Sequence, residues 1–459
     1  MRLILLIALI SASLAVQGCF WQSRKADALQ PWEITADPES IRYEIITENS
    51  APVGQWSLSY GSHDRYPPEG MTQDVAFDNT GNIYVTDVFY IGVDCARGGP
   101  DGIYTGRSGS LASLRKLDQV GNVLWYHSWP SSMFCHVWHE ANSVEIDRVG
   151  NVYIAGIFME LMEFETDSET VSLISEGTAD AFLSKFNPDG ALIWARHWGG
   201  EASDRATDLA IDDEGNLYVA GHYYGECDFD PGPEDTYHSS DEDLDNFVSK
   251  VNSDGEFLWV YTWHSESMEV AIELGPAGLI WVSSALTLTA LNSADGSNQS
   301  EFTLQRPFSD FAVMADGTII CVGPALQQGG SQAYLNALDD AGNVLFNRTW
   351  GNHGTRVVSV ATDTMSRIYV LGSFNRDTDF APGDDVDNRV FPEDPEGGYT
   401  PPQSYVSIFD ASGERIVTIT WDHISYPGRI ELDSQDYSYA TGWSSKPRYA
   451  VLSRLAPIE

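Results

Sequence analysis

Apolar and polar residues alternate along most of this chain in short runs rich in Val, Ile, Tyr and Trp, and each run stops at a cluster of Asp, Asn, Ser and Gly. Alternation with a period of two puts every second side chain on one face, so the pattern predicts half-buried β-strands joined by tight turns. The runs are copies of one another. FDNTGNIYVTDVF (Phe77 to Phe89), IDRVGNVYIAGIF (Ile146 to Phe158) and IDDEGNLYVAGHY (Ile211 to Tyr223) share one spelling, and weaker versions begin at Leu274, Met314, Thr362 and Leu432. That makes seven copies. A second unit follows each: RKLDQVGNVLWYHSW from Arg115 is typical, with relatives from Ser184, Ser249, Asn336 and Ser407. It is worn in the fourth copy and cut short in the seventh.

Each unit reads as a β-hairpin. Asp or Asn opens a type I turn by accepting a backbone N–H, and a Gly three residues later takes the left-handed position of the bulge that follows. The D-x-x-G spelling lacks the alternating oxygen ligands and closing Glu of an EF-hand loop, so these segments are turns. Two hairpins per repeat make a four-stranded antiparallel blade, strands A to D, and intervals of roughly 40 to 70 residues suit a propeller.

In the second hairpin, large apolar residues fall four and eight places after the turn glycine: Trp125 and Trp129, Trp194 and Trp198, Trp259 and Trp263, Phe346 and Trp350, Val417 and Trp421. Positions four apart share a strand face, so this ladder is predicted to pack between blades. The same spacing explains an orphan. QWSLSYGS (Gln55 to Ser62) carries Trp56, Tyr60 and Gly61 in the places of Trp194, Trp198 and Gly199, but has no hairpin of its own. The last repeat supplies strands A, B and C and then the chain ends. The orphan is therefore expected to be strand D of that blade, closing the ring and removing its open edge. IRYEIITE, just upstream, is a candidate for one more short strand.

The expected organisation is an all-β, seven-bladed propeller over 54–459. Its blades lie near 71–130, 141–199, 206–264, 268–305, 309–351, 355–422 and 427–459 plus 54–61, preceded by a tether over 19–53 and a leader over 1–18. In the leader, Arg2 precedes an uncharged apolar run from Leu3 to Val16, too short to span a bilayer as a helix and suited to a signal peptide. It ends in Val16-Gln17-Gly18-Cys19, which resembles a bacterial lipobox. That resemblance implies cleavage before Cys19, lipidation of Cys19 and, with Phe20 rather than Asp following, the outer membrane.

The motifs G-N-[IVL]-Y-[VI]-[AT]-[GD] and DAFLSKFNPDGALIWARHWGG (Asp180 to Gly200) resemble the SBBP family of bacterial β-propeller repeats. The resemblance runs over residues 54 to 459 and is strongest in blades 1 to 3 and 6. The second unit is also similar to PQQ-type propeller repeats, whose signature places a Trp after a turn glycine.

Charge narrows the function. The formal charge is −42, from 67 acidic and 25 basic residues, which opposes phosphate backbones and anionic lipid faces. Nucleic acid is not an expected partner, and contact with the membrane is expected through the N-terminal lipid alone. With Cys19 set aside, four cysteines remain in an oxidising compartment. Cys95 and Cys135 fall in connections on one face of adjacent units and form the expected disulfide. Cys321 lies within strand B of blade 5, where a buried, inert thiol is expected, and Cys227 has no evident partner.

The tight turns occupy one face, so the longer B–C and D–A connections gather on the other, where rigid blades present loops for binding. Seven residues after Gly156, Gly221 and Gly372 come Glu163, Asp228 and Asp379, each followed by Phe. Asp228, Asp230 and Asp235, and Asp377, Asp379 and Asp384, are candidate oxygen ligands for Ca²⁺. The competing reading makes each D-F pair a structural turn with an anchoring Phe, and its repetition favours that reading, so no cofactor is expected, with Ca²⁺ the alternative. His63, Asp64 and Arg65, Asp204 and Arg205, and His353 and Arg356 recur just before strand A and are candidates at the funnel mouth, or bridges between blades. His136 and His139 with Glu140 could begin a zinc site but lack a third ligand. No nucleophile elbow, Walker loop or dinucleotide fingerprint occurs. The expected function is a monomeric, non-catalytic, envelope-anchored module that binds a protein or other extracytoplasmic ligand. The alternatives are a propeller enzyme (lyase, hydrolase or PQQ-like dehydrogenase) with a metal or cofactor in the funnel, or an outer-membrane assembly factor.

Overall fold

A computed structural model describes residues 44–46, 56–60, 69–91, 109–130, 137–166, 168–232, 235–265, 267–327, 330–381, 387–391, 400–421, 424–445 and 448–457. The expectations for Cys19, Cys95, Cys135, His136, His63, Asp64, Arg65 and Asp384 lie outside them.

The described chain forms seven antiparallel blades. In blade 2 the strands are His139–Ile146, Val152–Phe158, Asp180–Phe186 and Leu192–Trp198, hydrogen-bonded in the order A-B-C-D. Strand A of each blade touches strand A of the next, and that of blade 7 touches that of blade 1, so the blades stand in a ring around a channel. Blade 7 is closed as the sequence predicts. Trp56–Tyr60 pairs antiparallel with Arg448–Leu455, matching Trp56 to Arg454 and Tyr60 to Ala450. Glu44–Ile46 then adds a fifth strand on the outer edge.

The repeated spelling has physical reasons. In the A–B turn of blade 1, Asp78 Oδ1 accepts the N–H groups of Thr80 and Asn82 at 2.9 and 3.0 Å, while Gly81 sits at φ +79°. Burial opposes ionisation of Asp78, but hydrogen bonds from Thr80 and Asn82 bring its carboxyl down to about 2. The Tyr of G-N-x-Y is buried and its hydroxyl donates to the turn Asp: Tyr84 to Asp78, Tyr153 to Asp147 and Tyr218 to Asp212.

The first three seams, between blades 1 and 2, 2 and 3, and 3 and 4, are joined by the ladder and by a lysine. Trp125 Nε1 and Lys116 Nζ both donate to the carbonyl of Pro188, in the C–D turn of blade 2, at 3.2 and 3.0 Å. Trp194 and Lys185 do the same to Ser253, and Trp259 and Lys250 to Ser293. Each ammonium also lies about 5 Å from the buried Tyr ring of its own blade, in cation–π range. Across the closing seam Arg454 takes the lysine's part, donating to Gln119 in the C–D turn of blade 1 at 3.1 Å and stacking 3.6 Å from the Tyr437 ring centroid. The closing seam thus has a cation-to-turn-carbonyl bond like those of the first three. Trp129, Trp194, Trp198 and Trp350 are buried, and the remaining aromatic rungs are partly buried against the blade cores.

Candidate functional site

The channel is built from one position repeated round the ring. Four residues before each A–B turn, strand A places Asp74, Ser143, Asp208, Ala271, Asp310, Ser359 and Arg429 in blades 1 to 7. The acids here cap backbone of the next blade: Asp74 accepts from Val144 N at 3.0 Å, Asp208 from Ile272 N at 3.0 Å and Asp310 from Val360 N at 2.9 Å. Ser359 Oγ does so for Ile430 N at 3.2 Å. These bonds run round the inner circumference and satisfy donors that the interrupted ladder of strand A leaves open. Two residues further on, Glu145, Glu273 and Glu431 stand among four alanines, giving the lumen a second acidic tier.

Arg429 is the cation among these carboxylates. It lies 3.5 Å from Asp74 in the neighbouring blade, 3.0 Å from Glu431, and 3.0 Å from Asp208 in blade 3. Blade 3 stands three places round the ring, so the guanidinium reaches across the lumen. Burial disfavours its charge, but Asp208, Asp74, Glu431 and Asp310 outweigh that and hold it well above the usual range. Burial raises Glu431 to about 8 despite Arg429. Burial likewise pushes Glu145 and Glu273 well up, with neighbouring acids adding to it.

Arg429 divides the channel in two. Towards the A–B turns lies a cavity of about 390 Å³ holding Glu145, Glu273 and Glu431. On the opposite face lies a wider mouth of about 780 Å³. All seven blades frame it, through Met71, Asn142, Arg205, Met268, Phe308, Val358 and Arg429. His222 lines the mouth, and its Nδ1 is 2.9 Å from the Met268 carbonyl rather than from a hydroxyl nucleophile. Burial lowers this imidazole to about 4.

The residues singled out in the sequence are distributed differently. Arg205 lines the mouth and bridges blades, donating to Glu140 Oε2 at 2.6 Å and Asn142 Oδ1 at 2.9 Å. Asp204, one residue earlier, is fully buried in the seam between blades 2 and 3. His353 and Arg356 are exposed, and His139 is buried with Nε2 at 3.2 Å from the Met159 carbonyl.

In the B–C connections, Asp228 Oδ1 accepts from Asp230 N at 3.1 Å and Thr236 N at 2.7 Å, and Asp379 Oδ1 from Ala381 N at 3.0 Å and Asp387 N at 2.9 Å. Asp230 accepts from Gly232 N and Asp377 from Phe391 N, while Asp235 is exposed. The following Phe229 and Phe380 are buried, as is Phe164; Phe164 packs on Trp129 of the preceding blade, and Phe229 and Phe380 belong to the core clusters that hold Trp198 and Trp350. Among the described residues no three His, Cys, Asp or Glu side chains are grouped as metal ligands. Cys227 and Cys321 are buried free thiols, Cys321 within strand B of blade 5. Sequence reasoning passed over the channel tiers. Their one signal was position, four and two residues before each turn, because the residue type changes from blade to blade.

No family model matches the chain. An uncharacterized WD repeat-containing protein of Acanthamoeba polyphaga mimivirus is 24% identical over 148 residues, and the match spans 10% of that protein's length. Among solved structures, the WD40 β-propeller domain of Doa1 is similar with a TM-score of 0.46 and 12% identity, over 85% of this chain and 95% of that one. Virginiamycin B lyase from Staphylococcus aureus gives a TM-score of 0.45 and 8% identity, over 84% and 95%. These likenesses concern the fold, and the strand order round the ring makes the chain a seven-bladed β-propeller.

Proposed function

We propose that this chain is a non-catalytic binding module of the SBBP type, held at the bacterial cell envelope through a lipid on Cys19, and that it takes a protein or other extracytoplasmic ligand at the wide channel mouth. The observation that carries this reading is the mouth itself. All seven blades frame one concavity, whose lining mixes Met71, Met268, Phe308 and Val358 with Asn142 and Arg205. Such a mixture suits recognition of a mixed apolar and polar surface.

A photo-crosslinking residue placed at Met268, which is exposed, should yield adducts in intact envelopes, and the same residue at Val120 on the turn face should not. Adducts from Val120 alone would move the ligand to the other face. Cys19→Ala should shift the protein from the membrane fraction to the soluble one, and retention in the membrane would remove the lipid anchor from this account. Equilibrium dialysis against millimolar calcium should find no bound ion if the B–C turns are purely structural.

A further inference from the structure

We propose that Asp180 and Asp204 share a proton and act as an acid latch on the seam between blades 2 and 3, tightening it in acid and loosening it as the pH rises. This goes beyond the binding role and needs no ligand.

Asp180 opens strand C of blade 2, and Asp204 immediately precedes strand A of blade 3. Both are fully buried. Gly199 lies between them. A Cβ at that glycine would stand 2.7 Å from Asp180 Oδ1 and 2.9 Å from Asp204 Oδ2, so the two carboxyl groups converge on one small volume. Asp180 Oδ2 accepts from Glu176 N at 3.1 Å, and Asp204 from Gly200 N at 2.8 Å and Tyr224 N at 3.4 Å. Asp180 Oδ1 is buried with no hydrogen-bond partner. That oxygen is where a shared proton would lie.

The other groups facing the pair do not neutralise it. Glu176 adds negative charge beside Asp180, the backbone of Asp228 bridges to Gly199, and Cys227 is a buried thiol whose ionisation burial opposes, with Asp204 and Asp180 next in effect. His197 Nε2 stands 3.8 Å from Asp180 Oδ2, but burial holds its imidazole below the ordinary value. Among the described residues, no Lys or Arg forms an ion pair with either acid. Two buried carboxylates without a cation cannot both ionise cheaply, so one keeps a proton.

Other seams show that the fold does not demand this arrangement. Between blades 5 and 6 the same two places hold neutral Gln332 and Thr355, with Gln332 Nε2 donating to the Gly351 carbonyl at 3.0 Å. In blade 3 the place of Asp180 is taken by Asp245, which has His264 at 3.0 Å. Burial raises Asp180 to about 6, helped by the charge of Glu176, and Asp204 to about 7, helped by that of Asp180. Both folded values lie above the ordinary 3.8, so the folded chain binds these protons more tightly than the unfolded one. The stabilisation is complete below about pH 4 and is lost as pH rises through about 6 to 7. Asp204 precedes Arg205 of the mouth and caps Tyr224 in a B–C extension, so loosening would be felt at the rim.

The test is isotope-edited infrared spectroscopy of the whole chain with labelled aspartate, alongside melting curves from about pH 4.5 to about pH 8.5. The protonated aspartate band at about pH 6 should be weaker in Asp180→Asn and in Asp204→Asn than in the wild type, and the part they lack should vanish from the wild type by about pH 8.5. The wild-type melting temperature should fall relative to either variant over that interval, with roughly one more proton released on unfolding near pH 5.5. Exposed Asp213→Asn should retain the wild-type slope. The two variants carry the comparison independently, so it stands if one of them fails to fold. Full ionisation at about pH 6, an unchanged slope in both Asn variants, or a stoichiometric cation in elemental analysis would each overturn the latch.

Discussion

Blades 1 and 2 are neighbouring copies, yet they solve one packing problem in opposite ways. In strand B of blade 2, VYIAGIF, a Cβ on Gly156 would lie 1.9 Å from the Glu140 carbonyl oxygen and 2.9 Å from the Phe182 ring, so strand C fills the space with an aromatic. In blade 1 the matching IYVTDVF puts Asp87 there. Its carboxylate accepts from Thr72 Oγ1 at 3.1 Å, Ser113 Oγ at 3.3 Å and Arg115 at 2.7 Å, all buried. The Arg115 guanidinium also lies 5.3 Å from the Phe89 ring centroid. The repeat therefore dictates backbone positions and leaves open the chemistry that fills them. A buried ion pair and a glycine facing an aromatic are alternative fillings of one volume, and each fails if only half is present.

The most damaging way to break this equivalence is Arg115→Leu, which strands Asp87 in the core. A loss of about 3–5 kcal/mol is expected in denaturant unfolding, and a loss under about 1 would show that Thr72 and Ser113 suffice. Converting the whole set to that of blade 2, with Asp87→Gly, Ser113→Phe and Arg115→Ser together, should recover stability to within about 2 kcal/mol of the parent chain. A triple variant no better than Arg115→Leu would show that the two fillings do not share one backbone. Lys116→Met and Lys185→Met sharpen what the blades have in common. Each should cost about 1–2 kcal/mol, and by similar amounts, since both lose a bond to the next turn and a Tyr-ring contact. The smallest effect belongs to Ser184, which stands where Arg115 does and whose buried hydroxyl has no partner. Ser184→Ala should be neutral or stabilise by up to about 1 kcal/mol, measured the same way.

Much of the ring could be read from the sequence because its rules are local. A turn Asx, a glycine three residues later and aromatics four apart fix strand, register and seam within one repeat, and the same spacing identified Trp56–Tyr60 as the missing strand. The lumen obeys no such rule. Arg429 meets Asp208 at a separation of 221 residues, and the position they share holds Asp, Ser, Ala or Arg in different blades. Asp204 and Arg205 are adjacent in sequence and look like one motif, but the start of strand A sends one into a seam and the other to the mouth. The repeated D-F pairs were legible as turns since their acids face their own backbone, whereas the convergence of Asp180 and Asp204 appears only once Gly199 is placed between them.

The fifth strand of blade 7 has a mechanical consequence. A pull arriving from the N-terminal side meets Glu44–Ile46 first, and only then Trp56–Tyr60, which is knitted to the strand near the other end of the chain. Three residue pairs would peel before the five that close the ring bear any load. The short outer strand thus works as a fuse, yielding to tension so that the circle behind it need not.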